Sequence, residues 1–120
     1  MCIRDSNISY TNIKHIPDTL INLKEIIMIN SLIEELPKNL CKIKKLIATN
    51  SCLKNIPDTY INLTDLCIDY TDIKSTSSKF INLIRFNANH SKLEQLHHTY
   101  IKLTFFNCMN TNKSNKYIII

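Results

Sequence analysis

A repeat solenoid of the α/β type is what this chain predicts: a curved parallel β-sheet along one side, extended or 3₁₀ returns along the other, and little regular helix. Three observations carry that expectation. A twenty-residue unit recurs without insertion from Ile16 to about Thr111. Each unit contains a short strand-type alternation followed by a Ser or Thr. Proline stands second in three of the units, at Pro17, Pro37 and Pro57, and opposes strand continuation there. A unit of this size cannot bury its own apolar face, and stacking against its neighbours is the physical solution.

Taken in chain order, a partial copy comes first, with Ile8, Thr11, Ile13 and Ile16. Full units then start near residues 16, 36, 56, 76 and 96. The first reads Ile16-Pro17-Asp18-Thr19-Leu20, and the third repeats it as Ile56-Pro57-Asp58-Thr59-Tyr60. These opening segments are the outer returns. Twenty residues leave no room for a long helix, so an extended path or a single 3₁₀ turn is expected. The segments Ile26-Ile27-Met28-Ile29 and Leu66-Cys67-Ile68-Asp69 alternate with period two. They read as strands whose first and third residues point inward. Asn30, Asn50 and Asn110 stand where the chain leaves the strand. Asparagine tolerates left-handed backbone, which matters in a chain without glycine.

The columns Leu23, Ile26, Met28, Ser31, Ile33 and their counterparts Leu63, Leu66, Ile68, Thr71, Ile73 resemble the leucine-rich repeat, L-x-x-L-x-L-x-x-N-x-L. The likeness extends over roughly residues 7–113 and fails in the last copy, where Lys113 takes an aliphatic column. It implies a parallel sheet on a concave face and a binding role. One column departs from the family: Thr11, Ser31, Ser51, Thr71, Ser91 and Thr111 replace the ladder asparagine. A buried hydroxyl needs a partner, and the next copy is expected to supply it. The short repeats also resemble those of large DNA viruses and protists with AT-rich genomes, in keeping with abundant Ile, Asn and Lys. Residues 1–6 (Met1-Cys2-Ile3-Arg4-Asp5-Ser6) resemble a translated sequencing adapter. The array is therefore expected to occupy residues 7–120, as a fragment of a longer one that ends in an apolar Tyr117-Ile118-Ile119-Ile120 rather than a polar cap.

Composition narrows the function. With no glycine there is no phosphate-binding loop, dinucleotide fingerprint or nucleophile elbow, so catalysis within these residues is not expected. Five cysteines without C-x-x-C spacing fit free thiols in a reducing, intracellular compartment. No apolar stretch reaches spanning length, and no membrane partner is expected. Net charge is +5, but residues 36–55 carry Lys38, Lys42, Lys44, Lys45 and Lys54 with no acid, while residues 16–35 and 56–75 each sum to −3. Broken positive potential is a poor track for nucleic acid. Asp65, Asp69 and Asp72 form no defined calcium loop. His97-His98 takes the place of a proline and reads as a decayed turn. No cofactor and no small-molecule substrate is expected.

What remains is a protein partner on the concave face. The columns the core leaves free include Ile27, Ile47 and Cys67 in one and Ile29 and Asp69 in another, with Tyr70 and His90 on the rim. An apolar cluster of Ile27, Ile29 and Ile47 facing solvent would signal contact. The alternative is a substrate-recognition array within a larger enzyme such as a ubiquitin ligase or a kinase. Prolines in the return segment resemble those of bacterial secreted ligase effectors.

Overall fold

The computed structural model describes residues 5–109 and 118–119. Six three-residue strands form one parallel sheet: β1 (Asp5–Asn7), β2 (Glu25–Ile27), β3 (Lys45–Ile47), β4 (Asp65–Cys67), β5 (Arg85–Asn87) and β7 (Phe105–Asn107). Their register advances by 20 residues at every step, so Ile26 pairs with Leu46, Leu66 and Phe86 in turn. Strict register follows from the period-two burial: the middle residue of β2, β3, β4 and β5 is buried while its neighbours are not. A slip of one residue would turn the whole inward set outward.

The core is one continuous cluster running along the stack. Leu23, Ile26, Met28 and Ile33 are completely buried, and Leu63, Ile68 and Ile73 repeat the pattern two turns later. Burying a side chain of this size contributes roughly 1.5–3 kcal/mol. Larger groups fill the outer side of the core, where Leu40, Tyr60, Phe80 and Tyr100 succeed one another in one column. The two phenols need partners there. Tyr60 donates to the Pro37 carbonyl at 2.6 Å and Tyr100 to the Ser77 carbonyl at 2.6 Å. Burial pushes both up, Tyr100 to about 12 against the lowering effect of Thr76.

No helix occurs among the described residues, so the returns are extended and punctuated by turns at positions such as 18–19 and 21–22. Two details depart from the sequence expectation. The hydroxyl ladder does not bond from copy to copy. Thr71 Oγ1 donates to Ile68 O and Ser91 Oγ to Ala88 O, both at 2.7 Å and within their own turn. Their geometry closes the bend after the strand, as a three-residue reach to a carbonyl does for Ser and Thr generally. Ser31 Oγ is buried with no hydrogen-bond partner.

At one end of the described residues, Asp5 and Ser6, inside the adapter-like segment, pair with Glu25 and Ile26. At the other end β6 (Gln95–Leu96) pairs with β8 (Ile118–Ile119) in a separate two-stranded sheet. Ile118 lies opposite Gln95, an offset of 23 residues instead of 20. β8 thus pairs beside β6 on the outer side of the stack. Asn110, Thr111, Lys113 and Tyr117 fall outside the described residues, as do Met1–Arg4 and Ile120.

Candidate functional site

Because β2 to β5 place their middle residues inward, the open face of the sheet is built from the flanking columns. The first runs Glu25, Lys45, Asp65, Arg85 and Phe105, and the register sets each beside the next. Its charges alternate in sign. The Arg85 guanidinium lies 3.4 Å from Asp65, with its carbon 5.8 Å from the Phe105 ring centre. Sequence reasoning passed over this column, although the alternation is visible once the strands are aligned at 20 residues.

The second column is Ile27, Ile47, Cys67, Asn87 and Asn107. It grades from apolar to polar along the stack, and Asn107 Nδ2 donates to Asn87 Oδ1 at 2.7 Å. Burial raises the Cys67 thiol, while a 3.2 Å contact to Thr49 Oγ1 works the other way. The third column holds Ile29, Thr49, Asp69, Asn89 and Met109. Here the side chains do bond between copies: Asp69 Oδ1 accepts from the Asn89 backbone N–H at 2.8 Å, and Asn89 Oδ1 from that of Met109 at 2.9 Å. Ser9 Oγ does the same for Ile29 at 3.0 Å. The cross-turn ladder expected of the buried hydroxyls has moved two residues upstream, to the sheet surface.

The rim is a row of left-handed residues. Asn30 and Asn50 have φ of 56° and 52°, as their residue type suggested. Tyr10, Tyr70 and His90 adopt the same conformation at 58°, 56° and 54°. For aromatic side chains that geometry costs energy, and stacking offsets part of it. The Tyr70 and His90 rings lie 4.6 Å apart and nearly parallel. Asn50 Nδ2 donates to Asn30 Oδ1 in the equivalent place two turns earlier.

The seven sequence-selected residues therefore share one face and its rim. Ile27, Ile47 and Cys67 are consecutive across three strands, and Tyr70 and His90 touch. Asp69 is committed to the ladder, and Asp65 and Asp72 face Arg85 and Lys92, the latter pair at 3.2 Å. The isoleucines differ from expectation in one respect: Ile27, Ile29 and Ile47 are half-buried, not openly exposed. Neighbouring strands a few ångströms away on either side cover their flanks. The openly exposed apolar groups on this face and its rim are Tyr10, Tyr70, Phe105 and Met109.

A shallow depression of about 100 Å³ lies between Lys45, Ile47, Asp65, Cys67, Arg85 and Asn87. Small-molecule sites usually run from about 300 Å³ upward, so this depression is a feature of the sheet surface and not a pocket. A larger open groove of about 780 Å³ lies on the outer side of the first turns, between His15, Asp18, Glu35 and Lys38. No group of three or more metal-ligating side chains occurs among the described residues.

No protein-family model and no curated protein matches the chain. Among solved structures it is similar to the leucine-rich repeat domain of the type III effector XopL, with a TM-score of 0.73 at 17% identity. The fold is that of the leucine-rich repeat. The match covers 90% of this chain but 45% of the other, so the chain spans less than half the length of the leucine-rich repeat domain it resembles. No helix among the described residues is long and apolar enough to cross a membrane.

Proposed function

We propose that this leucine-rich repeat array is a protein-interaction scaffold, and that its concave sheet presents Ile27, Ile29, Ile47 and the Tyr70–His90 rim to a protein partner. The observation that supports this most is the continuity of the second column: Ile27, Ile47 and Cys67 sit side by side on a rigid sheet. Half-buried apolar groups held in place lose little entropy on contact, which is what a binding anchor needs. No catalytic role is assigned to these residues.

The test uses substitutions that the array itself already accepts. Asn87 occupies the column of Ile27 and Ile47, and Thr49 the column of Ile29, so the variant I27N/I29T/I47N keeps residue types that stack in those columns. It is expected to melt within a few degrees of wild type and to lose its partners in pull-down from a host lysate. An unchanged partner set would remove the concave patch from consideration. Loss of folding would mean that the three isoleucines serve the core instead.

A second reading keeps the surface and changes its setting: the array selects substrates for an enzyme whose catalytic domain lies outside these residues. Its support is that the matched domain belongs to a type III effector and is about twice as long as the present chain. The complete reading frame separates the two.

A further inference from the structure

Folding sorts the charges of this chain in a way their order along the sequence conceals. Where each return rejoins the sheet, positions 19–24 of the first unit and their equivalents carry no acid in any of the five turns and carry lysine in four of them, the third (59–64) having neither. The lysines are Lys24, Lys42, Lys44, Lys79 and Lys102, all exposed except the half-buried Lys24. Lys79 is held 3.4 Å from Asp58 just outside this strip, and Glu25 and Asp65 border it on the sheet side. Lys42 and Lys102 reach one turn back along the edge, each donating to an asparagine carbonyl at 2.8 Å (Asn22 and Asn82).

An apolar row runs through the same strip. Ile21, Ile61, Ile81 and Ile101 are 53%, 47%, 49% and 81% exposed, with exposed Cys41 between the first two. A tight turn puts them there: the Ile21 N–H bonds to Thr19 O at 2.9 Å and the Ile101 N–H to Thr99 O at 2.8 Å. That turn points the intervening Leu20 or Tyr100 inward and tips the isoleucine out. At about 4.8 Å per turn the row extends for roughly 19 Å. Each of these isoleucines is about half exposed or more, so the row stands out as a ridge. Protein partners anchor best in pockets. A ridge of isoleucines flanked by lysine stems suits a surface that needs no matching shape.

From this geometry we infer that the edge at positions 19–24 docks on an anionic lipid surface, the isoleucines entering the headgroup region and the lysines meeting the lipid charges. The contact is peripheral and leaves the concave face free. Each lysine near such a surface adds about fivefold in affinity.

Flotation of the full chain with vesicles tests the inference. Wild type is expected to float with equal parts phosphatidylcholine and phosphatidylserine and to stay behind with phosphatidylcholine alone. K42Q/K44Q/K102Q, in which glutamine can still bond Asn22 and Asn82, should bind about a hundredfold more weakly. I61S/I81S/I101S should lose flotation with an unchanged melting temperature. A charge-matched control on the opposite edge, K14Q/K54Q/K74Q, should bind within a few-fold of wild type. If both lysine triples weaken alike, net charge is responsible and the edge is not a site. Failure of wild type to float overturns the inference, and retention on immobilised polyglutamate in that case would redirect the edge to an acidic protein.

Discussion

Removing the two buried phenols, in the variant Y60F/Y100F, should abolish the phenolic part of this array's loss of stability at alkaline pH and leave the part due to the half-buried Cys67 thiol. In the native structure Tyr100 is 6% exposed and Tyr60 fully buried, and both hydroxyls donate to carbonyls of the preceding turn. At neutral pH the variant loses those bonds and leaves the Pro37 and Ser77 carbonyls short of a donor, a cost of about 1–2 kcal/mol per site. Burial raises the Tyr100 phenol from 10.0 to about 12 and raises Tyr60 in the same direction. The unfolded chain therefore gives up its phenolic protons first as pH climbs. Stability from these groups is fully present below pH 10 and is lost as pH rises through the folded values. For Tyr100 alone the loss is about 2 kcal/mol by pH 12 and levels off just under about 3 kcal/mol above it, at 1.36 kcal/mol for each tenfold separation. Melting curves of both proteins from pH 8 to 11.5 read this out directly. Wild type should start several degrees higher, and the gap should close and then reverse above pH 10. A gap that stays constant across the range would refute the placement of these phenols in the core.

Leu66→Ala should cost roughly 2–5 kcal/mol as a large-to-small change at a site 2% exposed, and Leu66→Asp should unfold the array; equilibrium denaturation measures both. Ser31→Ala should be neutral or stabilising, because its hydroxyl is buried without a partner, whereas Thr71→Val should cost about 1 kcal/mol through loss of the bond to Ile68 O. Opposite responses in one chemical-denaturation series would be decisive, since the two residues share a column. Arg85→Ala should change stability by less than about 1 kcal/mol, because its contact to Asp65 is largely exposed. Deleting residues 1–6 should lower the melting temperature slightly, since it removes two of the three β1 pairings.

Much of this architecture is legible in the order of residues, because a twenty-residue period states its own register. Leu23, Ile26 and Met28 could be assigned inward from alternation alone, and the structure buries all three. Left-handed backbone at Asn30 and Asn50 was equally readable. What the period could not disclose was how side chains meet across turns. The Thr71 and Ser91 hydroxyls turn back to their own carbonyls because the bend brings a C=O within 2.7 Å, a distance set by local backbone and not by spacing. Tyr70 and His90 carry no sequence sign of a left-handed turn, since aromatic residues rarely take one. Their positions become intelligible only when the stacked rings are seen to share a column. The half-burial of Ile27 and Ile47 has a similar origin. Alternation places each outward, but the degree of cover depends on the neighbouring strand, which alternation does not report.

The two surfaces of the array differ in how they treat charge, and that difference makes them separable by experiment. On the concave face Glu25, Lys45, Asp65 and Arg85 stand in consecutive strands and alternate in sign, so the column largely neutralises itself. A partner approaching there meets little net field, and binding through Ile27 and Ile47 should depend on apolar contact, which salt does not weaken. The edge at positions 19–24 has lysines and no acid, so contact there is dominated by a single sign of charge. Raising ionic strength shortens the screening length from about 10 Å at 0.1 M to about 3 Å at 1 M. Partner capture through the sheet should survive that change, and vesicle binding through the edge should not. One protein measured in both assays across a salt series would thus show whether the array has two independent contact surfaces. If vesicle binding proved as salt-resistant as partner capture, the lysines would have no part in it.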